Sequence, residues 1–279
     1  MKTNRTTTTV NGFAKRTATI VVIAGCLLMP QTATLGKSSP EAGAVNLDAS
    51  AVPDAAVCEN FKGTLLWGQC TRAIVHGCHE SQDQRCEQYA ASWRDETGLE
   101  PPWLACGGSG SCAVFVTSQA YGGNLGGLAG ADANCQSRAD ASDLVPPGTY
   151  KAWLSASTGW PADGVRFTQS SVPYTRLDGT RIANYWPDLI DGRLSAPLNV
   201  NEAGITVGET FVWTGTLPNG TWYERELVAD GVVLEPHCQD WSTSEDIGGI
   251  GNVNFMQNGW TTVGFSACSA SRPLYCFQQ

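Results

Sequence analysis

Apolar positions along this chain fall into short runs separated by turns that glycine and proline mark. Ala113-Val-Phe-Val-Thr117 is a continuous apolar and β-branched run and reads as a strand. Tyr150 to Ser155 alternates aromatic and polar groups, the pattern of a strand with one buried face. Tyr174 to Ala183 carries Asp178-Gly179 between two short runs, a hairpin signal. A further short apolar strand of β-branched and aromatic residues begins at Phe211 and runs into Pro218-Asn219-Gly220, where a fixed φ followed by a permissive one suits a tight turn. Helical spacing is rarer. Cys86, Tyr89, Ala90 and Trp93 fall at i, i+3, i+4 and i+7 and predict a helix over Ser81 to Trp93, with Ser81 as its N-cap. After a glycine-rich loop from Gln119 to Gly130, a second helix is predicted over Ala131 to Ala141, with its alanines and Cys135 inward. Trp186-Pro187-Asp188 can open one helical turn, with Pro187 at its first position. Many short strands and long loops around few helices predict a mixed α+β domain from residue 113 to the end.

The N-terminus follows another pattern. Lys2, Arg5, Lys15 and Arg16, with no acidic residue among them, precede a short apolar run from Ala18 to Gly25, which reads as a signal peptide too short to span a membrane. Ile23-Ala-Gly-Cys26 resembles the bacterial lipobox, whose cysteine is lipidated and becomes the first mature residue. The alternative is cleavage near Ala33 or Gly36, with Cys26 lost. Leucine rather than aspartate after Cys26 implies an outer-membrane, cell-surface lipoprotein; without the lipid the protein is secreted or periplasmic. Residues 27–57, rich in small and polar groups, read as a flexible tether.

Composition narrows the partners. The chain has 279 residues, 42% of them hydrophobic, and a net charge of -9, which excludes sequence-independent attraction to nucleic acid or to anionic membrane; the membrane is reached only through the lipid anchor. From Val114 onward, 16 acidic residues face 8 basic ones. Eleven cysteines against three histidines point to disulfides in an oxidising compartment, and Cys26 accounts for the odd one. Cys58, Cys70, Cys78, Cys86, Cys106 and Cys112 form a disulfide-rich module over residues 58–112 whose pairing the sequence leaves open, although Cys106 and Cys112 flank a glycine-serine loop and could close locally. His76-Gly-Cys78-His79 lacks a second ligand group at zinc spacing, so no metal is assigned. Cys135, Cys238, Cys268 and Cys276 allow three connectivities.

The order Val212-Trp-x-Gly-x-x-Pro-Asn-Gly220, then Cys238-x-x-Trp241, resembles endostatin, the C-terminal domain of certain basement-membrane collagens, which has a C-type-lectin-like fold. It is also similar to a bacterial domain family of unknown function found in predicted lipoproteins. Gly122 to Asp132 with Cys135, Gly148 to Ser155, Tyr185 to Gly192, Ser266-Ala-Cys268 and Leu274-Tyr-Cys-Phe277 extend the resemblance over Val114 to Gln279. It implies an endostatin-like fold with two nested disulfides, Cys135 to Cys276 and Cys238 to Cys268, and places Trp153, Trp186, Trp213 and Trp241 in the core. Endostatin's heparin binding is not expected here, given the negative charge, and its zinc site has no counterpart because His237 is the only histidine in the domain.

Three tryptophans lie outside the resemblance. Trp160, Trp222 and Trp260 sit near glycine, proline or asparagine in predicted loops, where an indole face can stack on a sugar ring or a peptide. Asp240, Glu245, Asp246, Asn252, Asn254 and Asn258 could offer oxygen to calcium, but neither Glu-Pro-Asn nor Trp-Asn-Asp is present, and they read as solvated loop groups. No nucleophile elbow or His-Glu-x-x-His helix appears, and Asp188 with Asp191 reads as helix-end charge. The expectation is a noncatalytic surface recognition or adhesion module without a cofactor, binding a carbohydrate or a surface protein through Trp160, Trp222 and Trp260. A structural envelope lipoprotein is the alternative, with a secreted hydrolase third.

Overall fold

The computed structural model describes residues 84–222 and 236–279, with the short pieces 73–75, 77–78, 227–229 and 232–234. All of them lie in one compact unit, Asn46–Gln279. The expected signal segment with Cys26, the expected tether, Cys58, Cys70 and Ser81 lie outside the described residues.

A five-stranded sheet forms the centre, in the order β2-β10-β1-β3-β4. Here β1 is Cys112–Val116, β2 is Tyr150–Ala152, β3 is Tyr174–Arg176, β4 is Arg181–Ala183 and β10 is Tyr275–Gln278. Strand β1 runs antiparallel to β10, with Phe115 opposite Cys276, and parallel to β3, with Cys112 opposite Tyr174. Every residue of β1 is buried, as a central strand covered on both faces requires. The two faces divide by strict alternation. Ala113, Phe115 and Cys276 pack with Cys135, Ala139 and Tyr150, whereas Cys112, Val114, Val116, Tyr275 and Phe277 pack with Trp153, Phe167 and Trp186.

Helix α1 (Arg85–Thr97) buries Cys86 and Ala90 with Tyr89 and Trp93 half-buried beside them, the face its spacing predicts. Helix α2 (Gly127–Asp140) begins four residues before the expected start. Gly126, at φ 79°, takes the left-handed position ahead of it, and the Leu125 carbonyl sits where any Cβ on Gly130 would lie. Glycine is therefore required at position 130 by the close approach of the entering loop's backbone to the helix. The one-turn helix α3 is Trp186–Leu189, with Pro187 in its first turn.

Past the helices, β5 (Phe211–Trp213), β8 (Ile247–Asn252) and β9 (Gly264–Ala267) form a three-stranded sheet in the order β5-β8-β9, and β6 (Leu227–Ala229) pairs with β7 (Val232–Leu234). The chain is thus mixed α+β. Among the described residues no helix is long and apolar enough to cross a membrane.

Four disulfides tie the described residues: Cys78–Cys86, Cys106–Cys112, Cys135–Cys276 and Cys238–Cys268. The last two are the nested pair, and the first removes Cys78 as a free thiolate for metal. Strand β2 ends at Ala152, short of Ser155, at a bend on Trp153, whose ring meets Phe167, Trp186, Trp260 and Phe277. Arg166 fixes this bend. Its guanidinium donates to both Asp132 carboxylate oxygens, at 2.7 and 2.8 Å, and to the carbonyls of Ala152 and Leu154, so the buried charge is fully partnered.

The β3-β4 hairpin supplies a pH test. Arg176 hydrogen-bonds Asp178 through Nη2 at 2.6 Å and holds the carboxyl down at about 2, with the Thr180 N–H assisting. A depressed folded pKa contributes stability above the unfolded value, near 4, and loses it as pH falls toward 2. Because the Asp178 side chain is 40% exposed, solvent screening limits the contribution to about 1 kcal/mol or less. Urea titrations should therefore find Asp178→Asn slightly less stable than wild type at pH 5, with the difference shrinking steadily as pH falls to 2.

Candidate functional site

Two turns meet at the edge of the three-stranded sheet. In the first, Trp160-Pro-Ala-Asp163, burial alone would raise the pKa of Asp163, but N–H groups of Arg166, Val165 and Trp160 at 2.7, 2.8 and 3.1 Å hold it below the ordinary carboxylate range. Those three bonds close the turn around a charged acceptor. The second turn follows β5. Leu217 N–H donates to the Thr221 carbonyl at 2.7 Å, Thr216 bridges Trp222, and the Asn219 side chain accepts from the Thr221 N–H and hydroxyl.

The turns interlock at Gly220. Its carbonyl accepts from Ala162 N–H at 2.9 Å, and a Cβ there would lie 3.0 Å from the Ala162 methyl. That contact sets Trp160 beside Trp222, with ring centroids 6.3 Å apart and planes 14° from parallel. Each is half-buried, and part of each residue stays open to solvent. Trp222 also meets the His237 ring at 5.7 Å.

The third component is the turn from Cys238 to Trp241, where the sequence gives no warning of the backbone. Its four residues have φ values of 51°, 48°, 55° and 62°, a left-handed turn without a glycine. Each such residue costs about 1–2 kcal/mol. The surroundings impose it: Cys238 is bonded to Cys268, Trp241 N–H donates to the His237 carbonyl at 2.7 Å, and the buried Trp241 indole donates to the Ser155 carbonyl at 2.8 Å. The backbone N–H of Asp240 donates to His237 Nδ1 at 3.1 Å.

This turn presents Asp240 to the first loop. Its carboxylate accepts from the Ser157 N–H at 2.7 Å and the Ser157 hydroxyl at 2.5 Å. Ser157, Thr158 and Gln239 are exposed around it. The hydroxyl bonds a carboxylate, and the His237 Nδ1 lone pair is occupied by a backbone N–H. That order differs from the hydroxyl-to-imidazole order of an activated nucleophile.

Trp260 must be corrected. It is fully buried, packed against Trp153 at 5.0 Å and Tyr275 at 5.9 Å, and offers no face to a ligand. A short turn, Asn258–Trp260, drives the ring into the core, while Phe255 and Met256 of the same loop are exposed. Trp153, Trp186, Trp213 and Trp241 are all buried. The oxygen-bearing residues are engaged in separate contacts: Asp246 caps Ile247 N–H, Asn252 accepts from Asn254 N–H, and Asn254 accepts from Asn199. Among the described residues no group of three or more His, Cys, Asp or Glu could hold a metal. Asp188 and Asp191 accept from nearby backbone N–H groups of Asn184 and Arg193.

Apart from the indoles, a concavity of about 340 Å³ lies near the end of α1, lined by Arg94, Glu100, Lys151, Phe167 and Gln169. Its cations are spent: Arg94 pairs with Glu100, and Lys151 donates to the Arg166 carbonyl. The sequence offers Asp240 only as a solvated loop group and His237 only as the domain's histidine, and passes over Ser157, because their relation depends on the left-handed turn. No known protein-family model and no curated protein matches the chain.

Proposed function

We propose that the protein is a noncatalytic recognition module that binds a carbohydrate or surface-protein ligand on Trp160 and Trp222, in a domain of endostatin-like, C-type-lectin-like fold. The observation that carries this reading is the pair of half-buried, nearly parallel indoles beside a polar rim. Large rigid aromatic faces bind with little loss of side-chain entropy. The nested Cys135–Cys276 and Cys238–Cys268 bridges, with buried Trp213 and Trp241, are what the endostatin resemblance implies and support the fold. The apolar N-terminal run and Cys26 support attachment to the outer membrane through lipid, and the disulfides suit an oxidising compartment.

Screening the protein on a glycan array and an envelope-protein panel should give a specific ligand whose affinity falls at least about tenfold in Trp160→Ala and Trp222→Ala, each indole contact contributing ~1–3 kcal/mol. Both variants should stay folded. The Ala162–Gly220 contact favours a second reading, in which the indole pair only locks two loops of a structural envelope protein. That reading prevails if neither panel gives a ligand and both variants lose cooperative unfolding.

A further inference from the structure

Resting on the recognition reading, the structure carries the ligand class one step further. We infer that the indole shelf takes an uncharged sugar ring, and that Asp240 is both its hydrogen-bond acceptor and its filter against acidic sugars. The nearly parallel indoles present flat surface to the C–H face of a pyranose. They do not form the box of rings at steep angles that surrounds an ammonium group. Beside them the Asp240 carboxylate, whose side chain is 38% exposed, uses two of its acceptor positions on Ser157. The positions that remain accept from a hydroxyl and repel another carboxylate. The exposed Gln239 amide adds neutral donors and acceptors at the same rim.

No described lysine or arginine offsets this charge; the neighbour of Asp240 Oδ1 at 3.3 Å is His237 Nδ1, whose lone pair accepts the Asp240 N–H. The Arg166 side chain runs beneath Gly159, but its guanidinium is committed to Asp132 and to two backbone carbonyls. Among the described residues no lysine or arginine bonds Asp240, Ser157 or His237. The net charge of -9 adds a long-range penalty for polyanions.

The test is an array carrying matched neutral and acidic glycans, followed by calorimetry of the full chain with a neutral oligosaccharide and its uronate counterpart. Wild type should bind neutral glycans and fail on the acidic counterparts. Asp240→Asn keeps the size and one acceptor oxygen, and should raise uronate affinity about tenfold while weakening neutral binding. Gln239→Lys changes only an exposed side chain and should admit the uronate too, which guards against a folding defect in the first variant. Acidic glycans bound by wild type as tightly as neutral ones, and lost in Trp222→Ala, would overturn this inference and leave the recognition reading standing. Capture of envelope proteins alone, lost in Trp222→Ala, has the same meaning. Absence of any ligand overturns both.

Discussion

Replacing Cys135 and Cys276 together by alanine is expected to lower the unfolding free energy by about 5 kcal/mol, because the bridge closes a loop whose ends are 141 residues apart. The same replacement of Cys238 and Cys268, 30 residues apart, should cost about 3.7 kcal/mol. Alanine is the right probe: both Cys135 and Cys276 are fully buried, and serine would add the cost of an unpaired hydroxyl. The position of the bond reinforces the effect. Cys135 lies on α2 and Cys276 on β10, so the link clamps the helix to the central sheet at the register where Cys276 faces Phe115. A domain has about 5–15 kcal/mol in total, so the outer-bridge variant should sit near its unfolding midpoint in little or no denaturant. Guanidinium titrations of the two double variants check the order. A smaller loss for the outer bridge than for the inner would mean that loop closure does not set the stability.

Elements that form by local pattern were legible. The continuous apolar run of β1, the Asp178-Gly179 hairpin and the Cys86–Ala90 face of α1 require only neighbours along the chain, and each is found. Features set by long-range contact were not. The glycines that open α2 look like a loop until the Leu125 carbonyl is seen over Gly130. The left-handed turn at Cys238 is imposed from outside by Cys268, Ser155 and Ser157, none of them near it in sequence. The paired indoles were legible as residues but not as a pair, since the Ala162–Gly220 contact joins segments about sixty positions apart.

Trp260 gives the other large effect, and it separates core from shelf. Trp260→Ala should cost about 3–5 kcal/mol, because the ring fills space against Trp153 and Tyr275. Its indole N–H is buried without a hydrogen-bond partner, and truncation also removes that orphan donor, which places the loss at the lower end of the range. Trp260→Phe isolates the two contributions. It keeps an aromatic ring, discards the unpaired N–H and should therefore lose about 1 kcal/mol or less despite the smaller volume. Trp222→Ala, at the half-buried shelf, gives up mainly one stacking contact of ~0.5–1.5 kcal/mol. At about 2–4 °C per kcal/mol for a domain of this size, calorimetry should find Trp260→Ala melting roughly 10 °C below wild type, with Trp222→Ala and Trp260→Phe within a few degrees of it. Equal losses in Trp222→Ala and Trp260→Ala would place Trp222 in the packing core, and the exposed surface on which recognition depends would have to be sought elsewhere in the domain.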